Sequence, residues 1–344
     1  MLHPVIDSRL RPARVSLVTR LAEYAATFPV DGAAAIQAAR ACLLDGLARG
    51  FEALRDPDCA WQIGPLVPGA TMPGGARVPG TSLELDPAQA AFCIALMVAH
   101  PGAADRDPAA SRVPSIDALG AILAAGDFQA RKATMEGRSP PTVREVLTAM
   151  VKALEIQTLL ESLSEARHDP DAATARQARV ATTAVVTALL GGTHGQIVAA
   201  VSHSTLDGDS FVRLRGEHAA GHGPRVKAEA IGRAVRHACQ AIAPGRPSWL
   251  TPADLRLVEL SGKLLCAGGA PAPEPLATRC IDEAARASSP SDVTRVTARL
   301  QDAVSRYFPA RQAERVKALF AAPEQLDSLP VNELIAALVT NGAR

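Results

Sequence analysis

GPLVPGATMPGGARVPGTSLELDPAQAAF, residues 64–92, decides the architecture. Its first two-thirds is crowded with Gly and Pro, with short β-prone pieces between them, too punctuated to hold a helix. A loop or a small hairpin is expected there. Asp86-Pro87 then restarts a helix, with Asp as N-cap and Pro at the first helical position, and the apolar run continues through residue 99. Outward from this stretch nearly everything reads as helix. Apolar residues recur at helical spacing over 15–26 and 33–54, with Asp31 as the expected N-cap of the second segment. Further helices are expected over about 115–131, 141–166, 172–190, 193–206 and 226–243, and in the tail over 291–307, 310–321 and 330–340. Gly191-Gly192 is a stop signal, and Asp207-Gly208 another. The expected fold class is all-α, with one irregular insertion near 55–85.

Composition agrees with this and narrows the function. The chain has 344 residues, 48% of them hydrophobic but only 3% aromatic, so its core is built mainly from Ala, Leu and Val. Ala is the best helix former. With 36 basic and 35 acidic residues, the balance gives no reason to expect nucleic acid or an anionic membrane as a partner. The six cysteines form no CxxC pair and read as buried free thiols of a reducing compartment. The first residues lack the apolar core of a signal peptide, and the longest apolar run, 88–99, is shorter than the roughly 20 residues a membrane span needs. A cytoplasmic protein is expected.

Chemistry-bearing residues gather in MVAHPGAADRDPAASRVPSIDALG, residues 97–120. His100, Asp105, Asp107 and Asp117 are candidate acid/base groups there, and Arg106 a candidate anion binder. The bland alternative is an Asx turn before Pro108. No nucleophile elbow, zincin motif, Walker A or dinucleotide fingerprint is present. His218 and His222 have the i,i+4 spacing of a metal-chelating pair, but the segment is Gly-rich and lacks a third ligand, so it reads as a solvated loop. No metal and no cofactor is expected. SHSTLDG, residues 202–208, could pair His203 with Asp207 on one helix face; helix-end chemistry is the favoured reading.

Taken together, several segments resemble the MmgE/PrpD family, in order along nearly the whole chain. They are residues 64–92, LGAILAA (119–125), the EIQ of 155–157, ATTAVVTALLGG (181–192), VSHSTLDG (201–208), GRAVRHA (232–238) and the tail segments within 306–339. The resemblance implies a large helical domain to which both chain ends contribute, and a smaller α+β lid with the active site in the cleft between them. It also implies a homodimer and the acid/base dehydration of a small tricarboxylate, with related members decarboxylating another. Residues 1–250 and 291–344 are then expected to be the helical domain. Residues 251–290 are expected to be a reduced lid remnant or linker.

The resemblance fails at particular positions. Where the family's loop carries its first Asp this chain has Gly102, where it carries Thr it has Arg106, and where it carries His it has Pro114. Asp105 and Asp117 fall on family Asp positions. The family's Lys falls near Gly223, with Arg225 and Lys227 close by as anion binders and His203 as a further substrate contact. The expectation is a repurposed lyase- or isomerase-type enzyme acting on a small organic substrate, with the ancestral dehydration lost. The alternatives are a non-catalytic dimer partner and residual 2-methylcitrate dehydration.

Overall fold

The computed structural model describes residues 16–100, 117–163, 170–207, 223–247, 250–265 and 290–340. The first helices are α1 (Leu17–Thr27), α2 (Ala33–Ala53), a single turn α3 (Pro57–Ala60) and α4 (Pro87–Ala99). Then come α5 (Leu119–Met135), α6 (Val143–Leu163), α7 (Pro170–Leu189), α8 (His194–Leu206) and α9 (Gly223–Ala241). The C-terminal part supplies α10 (Pro252–Leu265), α11 (Pro290–Tyr307), α12 (Ala310–Ala321), α13 (Pro323–Ser328) and α14 (Val331–Leu338). The all-α expectation is met.

The irregular insertion is a hairpin. Strands β1 (Ala76–Arg77) and β2 (Glu84–Leu85) pair antiparallel, with Ala76 opposite Leu85. Its end is pinned to the core by charge. Arg77 donates from both its backbone and its guanidinium to Asp127 on α5, whose side chain is fully buried. Asp86 caps α4 as expected, accepting from the amides of Ala88 and Gln89 at 3.1 Å. The cap of α2 differs from expectation. Gly32 occupies the N-cap position and no side chain caps the helix, because α2 starts one residue later than an Asp31 cap requires.

Both chain ends build one helical body. Helix α11 packs on α2, and α14 on α5. Arg299 of α11 reaches Asp45 and Glu52 of α2. The hairpin is stitched to the tail by the Gly80 amide on the Leu338 carbonyl, 2.7 Å, and by the Thr340 amide on the Thr81 carbonyl, 3.0 Å. Residues 252–265 form α10, which packs on α8 and α1, with the Ser261 hydroxyl donating to the Ser202 carbonyl at 3.1 Å. The rest of the stretch expected to be lid remnant or linker, 266–289, lies outside the described residues.

The four cysteines described, 42, 59, 93 and 239, are free thiols. Burial pushes Cys42 and Cys59 up to about 12, and Cys93 and Cys239 up to about 11, so all four stay protonated and inert near neutral pH. No helix among the described residues is long and apolar enough to cross a membrane.

Candidate functional site

Helix α4 is the floor on which the site is assembled. It is buried along most of its length, and α5 and α9 lie against it. Two glycines permit the approach. A Cβ at Gly120 of α5 would stand 2.6 Å from the Ala95 nitrogen and 2.8 Å from the Ala91 carbonyl oxygen, both backbone atoms of α4. A Cβ at Gly232 of α9 would stand 3.0 Å from the Ala88 oxygen. Any side chain at position 120 would lift the start of α5 off the floor, and with it Asp117.

Asp117 sits in the turn just before α5, its side chain 7% exposed. One carboxylate oxygen lies 3.4 Å from Lys227 Nζ on α9, whose side chain is 35% exposed. The other oxygen accepts from Gln157 Nε2 on α6 at 3.3 Å. The same Gln157 nitrogen donates to Glu161 Oε1 at 3.0 Å, one turn further along α6. A nearly buried carboxylate beneath a partly exposed ammonium is thus held from two helices, α6 and α9.

Arg225 and Lys227 are two residues apart on α9, so they project to different sides of it. Arg225 leans over the Phe92 ring of α4, 5.7 Å from its centroid, within cation–π range. It also donates to Gln62 Oε1 at 3.3 Å and stands 3.6 Å from Glu229. His100, the C-cap of α4, places Nε2 3.1 Å from Asp56 Oδ2 at the N-cap of α3. That hydrogen bond, with the Asp58 amide, holds the Asp56 carboxyl below the usual carboxylate range.

His203 belongs to a different group. It lies 3.7 Å from Asp254 on α10. Burial pushes the Asp254 carboxyl up, but hydrogen bonds from the Thr251 hydroxyl and amide, with Arg246 and His203 nearby, bring it below its ordinary value. The expected pairing of His203 with Asp207 is made only by the backbone, the Asp207 amide donating to the His203 carbonyl at 2.9 Å. The Asp207 side chain, at the C-cap of α8, turns instead to α9. It accepts from Arg233 Nε at 2.7 Å and from His237 Nε2 at 2.9 Å, while its carbonyl accepts from the fully buried Arg179 of α7 at 2.7 Å. This junction ties α7, α8 and α9 together, as helix-end chemistry.

Asp117 and Lys227 are therefore brought together between the start of α5 and α9, while His100 meets Asp56 at α3, Arg225 lies against Phe92 and Gln62, and His203 belongs to the α8–α10 junction. Asp105, Arg106 and Asp107 lie outside the described residues, as do His218 and His222. Gln157, Glu161, Asp56 and Gln62 are further polar groups that the fold brings against these candidates. The i,i+4 spacing of Gln157 and Glu161 on a clearly periodic helix was the signal available in the sequence. Among the described residues no group of three or more His, Cys, Asp or Glu side chains is placed to hold a metal ion.

The sequence profile of the MmgE/PrpD N-terminal domain matches residues 19–243. The chain is 39% identical over 249 residues to 2-methylcitrate dehydratase of Escherichia coli (strain K12), covering 71% of this chain and 51% of that protein. It is 38% identical over 261 residues to the Salmonella typhi 2-methylcitrate dehydratase, covering 74% and 53%. To the mitochondrial 2-methylcitrate dehydratase of Yarrowia lipolytica it is 35% identical over 213 residues, covering 61% and 41%. The chain thus spans about half the length of the first two relatives. A profile running from α1 to the end of α9, over the helices that carry Asp117, Gln157 and Lys227, shows that the chain belongs to the MmgE/PrpD family.

Proposed function

We propose that this chain is a lyase- or isomerase-type member of the family acting on a small organic acid, with the 2-methylcitrate dehydration of its relatives lost or much reduced. The observation that carries the reading is the Asp117–Lys227 pair. Removing water from a hydroxy acid needs a base for a proton on the carbon next to a carboxylate, and an acid for the departing hydroxide. It also needs cations on the carboxylates where negative charge grows. In this reading Asp117 takes the carbon-bound proton while Lys227 holds the substrate carboxylate. The C–H electron pair becomes the double bond, the C–O bond breaks, and His100, oriented by Asp56, protonates the leaving oxygen so that it departs as water.

Divergence of substrate is the part drawn from the substituted positions. Gly102, Arg106 and Pro114 stand where the resemblance expects Asp, Thr and His. Those same substitutions favour the second reading, a non-catalytic paralogue that works as a dimer partner. The reading also includes a homodimer, which light scattering on the purified chain tests directly.

One experiment separates the alternatives. The chain is screened by thermal shift against 2-methylcitrate, cis-aconitate and other tri- and dicarboxylates, alongside a direct assay of 2-methylcitrate dehydration. A ligand at about 100 times its Kd stabilises by about 2.7 kcal/mol, which a melting curve resolves. A shift with an organic acid that vanishes in Asp117→Asn and Lys227→Met supports the lyase reading. Silence across the screen from a folded protein refutes it in favour of the non-catalytic one. Full 2-methylcitrate turnover refutes the claim of divergence.

A further inference from the structure

The geometry points to Gln157 as the positioning residue of the site: its carboxamide, held on the buried middle of α6, fixes the Asp117 carboxylate against Lys227. This inference rests on the lyase reading above.

Neither partner of the Asp117–Lys227 pair is fixed by its own element. Asp117 lies in a turn ahead of α5, and Lys227 carries its ammonium at the end of a long, partly exposed stem. Gln157 differs. It is 9% exposed, and it lies well inside a 21-residue helix whose flanking residues Ala153, Ile156 and Leu160 are buried. Its amide nitrogen has two protons, and two carboxylates claim them, Asp117 Oδ2 at 3.3 Å and Glu161 Oε1 at 3.0 Å. That settles which way the amide points. Turned over, it would set its oxygen, an acceptor, against two anionic acceptors, so only the nitrogen fits this side.

The consequence is directional. A carboxylate that accepts from Gln157 on one oxygen and faces Lys227 with the other has its plane set by both, so the oxygen facing Lys227 is also the one left to act on substrate. Without the amide, Asp117 can turn about its side-chain bonds within the turn, and displacements of about 1 Å can cost 10²-fold in rate. Gln157 touches no reacting atom in this scheme. It acts through Asp117, so its loss should matter only while Asp117 is there.

The test uses the full chain as wild type, Gln157→Leu, Gln157→Asn, Asp117→Asn and the Gln157→Leu/Asp117→Asn double variant. The shorter Asn keeps the amide but loses its reach, which covers the case of a Leu variant that folds poorly. Turnover is followed with 2-methylcitrate and with whichever organic acid gives a thermal shift, and affinity with citrate by calorimetry. The Gln157 side-chain NH₂ signals are identified in a ¹⁵N–¹H spectrum by their disappearance in Gln157→Leu.

The expected result is that these signals move in Asp117→Asn. Both Gln157 variants should then lose at least tenfold in kcat, with KM or citrate affinity changed less than threefold, and the double variant should be no worse than Asp117→Asn alone. A merely structural role predicts additive losses in the double variant. Unmoved signals, or a Gln157→Leu variant with unchanged kcat beside an impaired Asp117→Asn, overturn the inference. Asp117→Asn without effect on turnover or citrate affinity, with the signals moved, would instead overturn the placement of the active site at Asp117.

Discussion

Glu155, on α6, is the group whose titration should weigh most on stability. It is 2% exposed, and neither carboxylate oxygen has a hydrogen-bond partner among the described residues. Lys152, one turn earlier on the same helix, gives its ammonium to the Ala25 carbonyl at the end of α1 instead. Burial alone therefore acts on Glu155 and pushes its carboxyl from 4.5 to about 7. A carboxyl whose folded value is raised stays protonated in the fold after the unfolded chain has released its proton. Stability is greatest below about 4.5, falls as pH rises from there to about 7, and is flat beyond. The 2.5 pH units between 4.5 and 7, at 1.36 kcal/mol each, make that loss about 3 kcal/mol. Glu155→Gln removes the titration. The buried amide brings its own unpaired groups, costing about 1–3 kcal/mol at every pH, so the signature is a slope and not a level. Urea unfolding at pH 5, 6, 7 and 8 should show wild type losing stability against the variant by about 2–3 kcal/mol across the range, since other titrating groups cancel in the difference. Glu155→Met, which buries no polar atom, should be the more stable protein at pH 8. Parallel curves for wild type and Glu155→Gln would refute the reasoning, and with it the claim that this carboxyl is dry and alone.

Three further outcomes follow from the structure. Arg77→Leu should cost about 3 kcal/mol, because it removes the guanidinium and leaves the buried Asp127 carboxylate, which burial already pushes up, with the residue 77 amide; denaturant unfolding measures it, and Arg77→Leu/Asp127→Leu should recover part of the loss. Gly120→Ala should destabilise by about 1–3 kcal/mol, since the new methyl meets α4 backbone that cannot move aside, whereas Gly137→Ala, with open space around it but a positive φ of 66°, should cost about 1 kcal/mol; melting temperatures compare them. Burial, opposed by Asp207, lowers the His237 imidazole from 6.5, so the unfolded chain takes up the proton first as pH falls; wild type should lose melting temperature against His237→Gln once the pH drops below about 6.5, and no divergence between pH 7.5 and 5.5 would contradict the placement of a neutral ring there.

Helices were legible because their signal is local. Asp86-Pro87 capped α4 as written, Gly191 took the left-handed conformation that ends α7, and the Pro/Gly stretch became a hairpin because nothing in it could sustain a helix. What escaped was set by neighbours distant in sequence. The single turn of α3 carries too few residues for a periodic pattern, and α2 takes Gly32 as its N-cap although Asp31 is the better capping side chain. The Asp117–Lys227 contact joins residues 110 positions apart, and Arg77 reaches Asp127 across 50. Periodicity says which face of a helix is buried, and it is silent about which polar group on another helix will meet it.

His203 shows what that silence means for function. In the sequence it lies beside Ser202, Ser204 and Asp207, an arrangement that invites a catalytic reading. In the fold the Ser202 hydroxyl donates to the Val198 carbonyl, the Asp207 carboxylate is taken by Arg233 and His237, and His203 faces Asp254. The polar groups of SHSTLDG that could have acted together are spent on separate partners, Ser202 within its own helix and Asp207 on α9. At Asp117 the reverse holds. No motif surrounds it, yet α6 and α9 each bring one polar side chain to its two oxygens. The Asp207 junction spends its carboxylate on Arg233 and His237 between helices, whereas the Asp117 site leaves an ammonium partly open to solvent beside a held carboxylate. Substitution at the two should therefore separate in kind. Asp207→Asn leaves Arg233 and His237 without their anion and should lower the melting temperature, with organic-acid affinity changing only as far as folding does. Lys227→Met removes a partly exposed charge but leaves the nearly buried Asp117 carboxylate to Gln157, so it should lower ligand affinity by more than the accompanying loss of melting temperature explains.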